Sequence, residues 1–316
     1  MKIFTTDAIK KADAVTIEKE PISSVNLIER AAESSAYWIY LNCKNYTRFT
    51  IFCGPGKNGS EGFAIARMLY LKGFDVDVFI DKSKSELSDD ALLNFKRLQD
   101  FSGITIYDFV EIDQYNFEKT VLVDALFGVG LSQNLEVIYK DVIQKLNLKK
   151  NPKISIDIPS GLFANHLNEE TDIIFKTDYT LTFQFWKKSF LHPETGIYSG
   201  EVVVLDIKLN QEFIDKTETF DFVIDDDLIL KIFKPRENFA HKGIYGKSII
   251  VGGSYGKMGA AVLATKSAMR TGSGLTCVLA PNCGYTVLQT TCPEAIFIKK
   301  KKKKIIQIEE QENAVY

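Results

Sequence analysis

The chain has 316 residues, of which 45% are hydrophobic and 25% are charged, and 39 basic against 41 acidic side chains leave a formal charge of −2. This length predicts about two domains, each large enough to bury a core without disulfides or a structural metal. The near balance of charge disfavours proteins that wrap nucleic acid or adsorb to acidic membrane surfaces, so small-molecule chemistry is favoured.

The N-terminus contains no apolar segment of signal-peptide length, and no stretch approaches the roughly 18 apolar residues that a membrane span requires. We therefore expect a cytoplasmic protein with no membrane or nucleic-acid partner. Five scattered cysteines without a CxxC pair predict buried thiols rather than a disulfide framework or a zinc site.

Helical periodicity predicts two amphipathic helices, around residues 9–16 and 27–38. After them, short apolar runs alternate with longer helical patterns. The expected strands are 49–53, 75–80, 120–123, 154–158, 179–183 and 201–205, with helices at 63–71, 91–98 and 135–146. Buried strands that alternate with helices predict a mostly parallel sheet covered on both faces, which is an α/β fold with three Rossmann-like α/β/α layers.

The apolar signal weakens between residues 208 and 247, which predicts a boundary near residue 215 and domains at 1–215 and 216–316. A strand at 248–251, a helix at 259–270 and a strand at 275–279 predict the start of a second α/β domain. Six consecutive lysines at 299–304 and a polar tail follow, so we expect this second domain to be incomplete.

A glycine turn stands between the first predicted strand and the next helix. Gly54, Gly56 and Gly59 have the spacing GxGxxG. This pattern is typical of turns whose backbone amides approach a dinucleotide diphosphate at a helix N-terminus, in which case Asp77 or Asp81 would hold a ribose hydroxyl. The structural alternative is a glycine turn that only joins strand to helix.

Polar side chains follow three of the predicted strands. Asn58 and Glu61 come after the first strand, Asp124 closes the third, and Asp157 and Ser160 lie at the end of the fourth and in its proline turn. Open α/β sheets bind ligands at the carboxyl ends of their strands. A single acid there is often a cap or turn residue, but these residues together predict one oxygen-rich crevice.

These motifs, in this order, resemble the NAD(P)H-hydrate epimerases, the N-terminal half of the bifunctional NAD(P)H-hydrate repair enzymes. The resemblance runs from Thr5 to about Leu209. It is carried by Ala12-Asp13 with Thr16-Ile17 and by segments 27–32, 54–62, 123–128, 157–161, 182–187 and 200–202. From His241 to Leu275, the second half resembles the opening of the ADP/ATP-dependent NAD(P)H-hydrate dehydratase, a ribokinase-like domain.

The resemblance implies metabolite repair by an isomerase that interconverts the R and S forms of hydrated NADH and NADPH at C6 of the nicotinamide ring. By position it implies K+ ligands at Asn58, Asp124 and Ser160, and Glu61 and Asp157 become the acid/base candidates. It implies substrate contacts at Lys57, Asn58, Gly59, Ser60, Glu61, Gly128, Val129, Gly130, Leu131, Ser132, Gln133, Asn134 and Asp157.

The resemblance further implies a lyase activity in the family, in which ADP or ATP drives dehydration of the S form. Ala260 matches a substrate-contacting position of that dehydratase. The nucleotide-binding segment and catalytic aspartate of the family lie further along than the matched residues, so we expect this activity to be lost by truncation. A reading-frame slip in an adenine-rich tract would explain the lysine run, and a natural basic tail is the alternative. Whether the chain forms a homo-oligomer is left open by the sequence.

This chain departs from the family in its glycine turn. The family usually reads Asn-Asn-Gly-Gly-Asp-Gly at residues 57–62, where this chain has Lys57, Ser60 and Glu61. The longer acid changes the reach of a positioned carboxylate, and the lysine adds a cation for that acid or for a phosphate. Two other functions stay open: a dinucleotide-binding oxidoreductase built on the same turn, and a non-catalytic binding protein with the same fold.

Overall fold

A computed structural model describes residues 1–83 and 86–299. It divides the chain into two compact units, the first from Met1 to Leu230 and the second beginning at Lys231. Within the described residues, no helix is both long and apolar enough to cross a bilayer. The run and tail expected at 299–316 lie, apart from Lys299, outside the described residues.

The first unit follows the predicted alternation of strands and helices. Its helices are α1 (Thr6–Lys19), α2 (Ser24–Asn42), α3 (Lys57–Leu71), α4 (Asp89–Gln99), α5 (Val137–Asn147), α6 (Pro193–Gly196) and α7 (Gln211–Lys216), with α8 (Asp226–Ile232) across the boundary. Its strands are β1 (Arg48–Cys53), β2 (Asp75–Ile80), β3 (Thr105–Asp108), β4 (Thr120–Ala125), β5 (Lys153–Ile156), β6 (Tyr179–Phe183) and β7 (Glu201–Leu205). Short 3-10 helices cover Phe109–Gln114 and Lys188–Phe190.

The strands of the first unit form one parallel sheet in the order β3-β2-β1-β4-β5-β6-β7. The predicted α/β fold is therefore confirmed. The chain builds outward from β1 in one direction and then from β4 in the other, so a crevice opens between the loops after these two strands.

Two apolar clusters cover the two faces of the sheet. One contains buried side chains of α1 to α4, such as Ile39 and Phe63, packed on Ile51 of β1. The other contains Tyr139 of α5 packed with Phe52 on the opposite face of β1. The three predicted layers follow from this division.

The glycine turn is held together by close backbone packing. A Cβ atom on Gly54 would lie 1.9 Å from the carbonyl oxygen of Leu126, and one on Gly59 would lie 1.8 Å from the carbonyl oxygen of Gly54. These two glycines are thus required for α3 to pack against β1 and the loop after β4. Their spacing is explained by the fold without any dinucleotide.

Residues just beyond the expected boundary at 215 pack on the N-terminus. Lys2 forms an antiparallel bridge with Phe222, and its ammonium donates to the carbonyl oxygen of Thr217 at 2.7 Å. The backbone amide of Ile3 donates to Asp221. These contacts attach the segment after α7 to the first unit.

The second unit contains a small parallel sheet of three strands, β8 (Lys247–Val251), β9 (Leu275–Ala280) and β10 (Ile296–Lys299), in the order β10-β9-β8. Its core packs Val278 of the central strand against Val262 and Leu288 of the helices. The other face leaves Ile249 and Ile296 exposed. The helices of this unit are α9 (Met258–Arg270) and α10 (Tyr285–Thr291), with 3-10 helices at Lys242–Tyr245 and Asn282–Gly284.

Candidate active site

A cavity of about 500 Å³ lies at the carboxyl ends of β1, β4, β5 and β6 and is closed on one side by α1 and α2. Its floor is polar, whereas the wall from the helices and the last strands is apolar. Ten of the predicted site residues line it: Lys57, Asn58, Glu61, Gly128, Val129, Gly130, Leu131, Ser132, Gln133 and Asp157. Further lining residues include Ile9, Lys10, Asp13, Leu27, Ile28, Phe183 and Lys187.

Asp157 is fixed by two partners at the end of β5. Its Oδ1 lies 2.8 Å from the ammonium of Lys187, and its Oδ2 accepts a hydrogen bond from the backbone amide of Val129 at 2.9 Å. Its φ of 66° lies in the left-handed region, a strained conformation that is common at functional sites. The carboxylate is therefore held in one orientation at the cavity.

Lys187 is the cation that stabilises this carboxylate. Its side chain is only 1% exposed, and its ammonium also donates to the hydroxyl of Thr182 at 2.6 Å. A buried ammonium is costly unless it is paired and hydrogen-bonded. The burial of Lys187 is thus explained by Asp157, and the two residues form one unit.

Glu61 presents a second carboxyl group from the second turn of α3. Its Oε2 is inaccessible to solvent and has no hydrogen-bond partner among the described residues. Burial raises the pKa of Glu61 well above its usual value, and the negative charges of Asp157 and Asp13 raise it further. Burial thus favours the protonated form of Glu61, whereas the carboxyl group of Asp157 lies against the ammonium of Lys187.

The predicted ligands Asp124 and Ser160 lie beneath the cavity rather than in its wall. Asp124 is completely buried and accepts hydrogen bonds from the Ser160 hydroxyl at 2.6 Å, the Ser160 amide at 2.8 Å and the Ser155 hydroxyl at 3.0 Å. Burial raises the pKa of Asp124 to about 6, and these hydrogen bonds oppose the increase. No cationic side chain of the described residues pairs with it.

Asn58 lies between this buried group and the cavity. Its side chain is 6% exposed, and neither its Oδ1 nor its Nδ2 has a partner in the described structure. Asn58 lies close to the loop after β4, because a Cβ on Gly128 would be 3.3 Å from its Oδ1. The same loop contacts Ser160, whose hydroxyl accepts a hydrogen bond from the amide of Phe127 at 2.9 Å. A buried amide without partners indicates a site for a ligand or an ion.

The remaining predicted contacts point elsewhere. Ser60 is buried beneath α4, where its hydroxyl donates to the carbonyl oxygen of Asp90 at 2.9 Å and accepts from the amide of Asn94 at 3.0 Å. Gly59 packs on the turn, and Asn134 lines a neighbouring small cleft. The side chain that the family lacks at position 60 is therefore accommodated away from the cavity. Ala260 is exposed on α9 of the second unit.

Both aspartates considered for ribose binding have structural partners. Asp77 pairs with Arg48 at 2.7 Å and accepts from the hydroxyl of Tyr115 at 2.6 Å. Asp81 accepts from the amide and hydroxyl of Ser83. Both acids therefore have structural roles, and neither is left free to bind a ribose hydroxyl.

Sequence reasoning assigned no site role to Lys187 or Asp13, although both lie in segments that carried the resemblance. A lysine four residues after a buried strand gives no sign of burial. The signal available in the sequence was Asp157 itself, an acid at a strand end to which no cationic partner had been assigned. Among the described residues, no group of three or more His, Cys, Asp or Glu side chains could hold a metal ion.

Comparisons with known proteins relate both units to described families. Residues 24–189 match the family described as YjeF-related protein N-terminus, and residues 248–316 match the family described as NAD(P)H-hydrate dehydratase. The chain is 31% identical over 312 residues to a bifunctional NAD(P)H-hydrate repair enzyme Nnr of Dictyoglomus turgidum, which covers 96% of this chain and 59% of that relative. It is 26% identical over 296 residues to the enzyme of the same name from Escherichia coli, with 92% and 56% covered.

The chain thus spans less than two thirds of the length of these relatives. Among solved structures, the crystal structure of the yeast protein ynu0 has a TM-score of 0.56 and 19% sequence identity, and the match covers 72% of this chain and 98% of the yeast chain. At this identity the likeness concerns the fold alone.

Proposed function

Because this chain belongs to the family of YjeF-related protein N-termini, we propose that its first unit epimerises the R and S forms of hydrated NADH and NADPH at C6 of the nicotinamide ring. The family matches confirm the resemblance drawn from the sequence motifs. The observation that carries the proposal is the cavity that Glu61, a buried carboxyl group without a partner, and Asp157, a carboxyl group paired with Lys187, line together.

The two carboxyl groups suit the chemistry of this inversion. In the hydrated substrate, C6 carries a hydroxyl group next to the ring nitrogen. A proton from Glu61 lets this hydroxyl leave as water while the nitrogen lone pair forms a double bond to C6. Water then adds to the opposite face of C6, and Asp157 accepts its proton, which yields the other epimer.

The cavity also suits the substrate's shape and charge. Its apolar wall, with Leu27, Ile28 and Phe183, fits a nicotinamide ring and excludes bulk water. In the loop after β4, the amides of Gly130 and Ser132 have no partner among the described residues, and with the uncapped start of α3 they offer donors for the diphosphate.

The test is the time course of interconversion. A purified epimer of hydrated NADH is incubated with the chain without added nucleotide, and both epimers are separated by chromatography. We expect equilibration faster than in buffer. A chain that binds the hydrated cofactor without accelerating equilibration would instead be a non-catalytic binding protein.

Replacing Glu61 with glutamine removes the proposed proton donor and keeps its shape. We expect the interconversion rate to fall about a hundredfold or more. Glu61→Asp, which restores the usual acid of the family, is the matched control and should keep most of the activity. Near-wild-type activity of Glu61→Gln would exclude Glu61 as the donor.

The same substitution has an expected effect on stability. The pKa of Glu61 in the folded chain is raised above its ordinary value of 4.5. Its contribution to the unfolding free energy is therefore fully present below pH 4.5 and is lost as the pH rises through the folded pKa. Glu61→Gln should therefore flatten the pH dependence of the unfolding free energy above pH 4.5. This is measured by urea denaturation at several pH values.

A potassium ion fits the residues beneath the cavity. Asn58 offers a buried carbonyl oxygen without a partner, and Asp124 is a buried carboxyl group without a cationic side chain beside it. With the hydroxyl of Ser160 they form a set of hard oxygen donors, which suits such an ion. A bound cation would stabilise the negative charge of Asp124 and order the start of α3.

Potassium chloride is expected to raise the melting temperature of the chain more than sodium chloride at the same concentration. Asp124→Asn should remove this difference because it removes the buried charge. Melting is followed by circular dichroism, and Asp100→Asn, an exposed change at the end of α4, is the control. A potassium effect that survives in Asp124→Asn would exclude this site.

For the second unit, the match supports a relation to the nucleotide-dependent dehydratases. Dehydration of the S form with ADP or ATP is the activity that this relation suggests, and the contact at Ala260 belongs to it. The described part of this unit has helices packed on one face of its sheet and exposed apolar side chains on the other. A cytoplasmic location and a homo-oligomer remain predictions.

A further inference from the structure

Asp13 brings a third carboxyl group to the cavity, and what we infer from it rests on the epimerase function proposed above. It lies in the middle of α1 and lines the cavity together with Glu61 and Asp157. Its side chain is partly exposed. Within residues 1–83 and 86–299, it has neither a hydrogen bond nor an ion pair. An acid on an otherwise structural helix, without any structural partner, is available for chemistry.

Charged groups surround Asp13 from several elements. Lys57 and Glu61 face it from α3, Asp157 and Lys187 face it from the ends of β5 and β6, and Lys10 precedes it by one turn on α1. Burial raises the pKa of Asp13 to about 6; Lys57 and Lys187 lower it, and Asp157 raises it. Asp13 is therefore a carboxyl group that shares the cavity with both acids of the proposed reaction and is still partly exposed, which suits it to take up and release protons.

The proposed reaction leaves the enzyme in a changed state. Each conversion in one direction moves one proton from Glu61 to the leaving water and one from the incoming water to Asp157. The cycle ends with Glu61 ionised and Asp157 protonated, so a second conversion in the same direction requires the proton to return. The Oε2 of Glu61 is inaccessible to solvent, and both oxygens of Asp157 are engaged by Lys187 and Val129.

We propose that Asp13 is the proton relay that resets the site between turnovers. The Asp13 carboxylate accepts the proton from Asp157, and the resulting acid donates it to Glu61. Only O–H bonds form and break, and the three groups return to their starting protonation. Because Asp13 is partly exposed, it also exchanges protons with solvent. Its role is that of a further proton-transferring residue, separate from bond breaking at C6.

Asp13→Asn separates this role from a structural one. With substrate in excess, we expect the initial rate from a purified epimer to fall about tenfold or more, since resetting then limits turnover. With enzyme in excess, a single conversion needs no reset, so its rate should stay within about twofold of wild type. Added imidazole or formate buffer should restore the multiple-turnover rate in proportion to its concentration.

Two further variants serve as controls. Asp13→Glu keeps the carboxyl group and should retain most multiple-turnover activity. Asp7→Asn removes an exposed acid in the first turn of the same helix and should change neither rate. Circular dichroism of each variant verifies the fold.

The possible outcomes are distinct. Equal loss in single and multiple turnover without a response to buffer would assign Asp13 a structural role and overturn the relay. Unchanged rates in Asp13→Asn, with an active wild-type chain, would overturn the relay and leave the epimerase function intact. An inactive wild-type chain would overturn both.

Discussion

Replacing Asp157 with asparagine is expected to slow epimer interconversion by about a hundredfold or more, the usual effect of removing a positioned acid or base. The amide keeps the size of the side chain and accepts the hydrogen bond from Val129, but it cannot take a proton from water. Lys187 then also lacks its counter-ion. The measurement is the chromatographic time course starting from one purified epimer.

The matched control for this prediction is Asp100→Asn, which makes the same chemical change at an exposed position outside the cavity. It should leave the rate unchanged. Substantial activity in Asp157→Asn would remove this residue from proton transfer. A thermal melt of each variant distinguishes loss of chemistry from loss of fold.

Replacing Lys187 with methionine is expected to cause the largest loss of stability. Removing one partner of a buried ion pair typically costs about 3–5 kcal/mol, because the other charge remains buried without compensation. Here the remaining charge is that of Asp157, which lies at the cavity in a strained backbone conformation. The rate should fall as well, since Asp157 loses its fixed orientation.

Urea denaturation followed by tryptophan fluorescence measures this effect selectively. Both tryptophans of the chain, Trp38 and Trp186, belong to the first unit. The double variant Asp157→Asn/Lys187→Met should be more stable than Lys187→Met alone, because it contains no uncompensated carboxylate. Additive losses in the two single variants would contradict the pairing.

Much of the fold was predictable because buried parallel strands have a strong local pattern. The runs that end at Cys53, Ile80 and Phe183 were placed within one residue of their observed ends. The edge strand Thr105–Asp108 was missed because it is short and only partly buried, so its sequence lacks an apolar run. The strand ending at Ile158 in the prediction stops at Ile156, where the left-handed backbone of Asp157 ends the pairing.

The lining of the cavity was predictable where polar residues lie in the turn or helix start after a strand, as at Asn58, Glu61 and Asp157. It was not predictable where the contribution comes from a distant element. Asp13 reaches the cavity from α1 and Lys187 from a loop after β6, and neither position is set by local pattern. Their roles depend on tertiary packing, which determines the burial and pairing of each charge.

The proposed epimerisation is tested most directly by the fate of a purified S epimer of hydrated NADH with the wild-type chain and with Asp157→Asn in parallel. We expect rapid appearance of the R epimer with the wild-type chain, without ADP or ATP, and a time course close to that of buffer with the variant. A wild-type time course that matches buffer alone would contradict the assignment of this cavity to epimerisation.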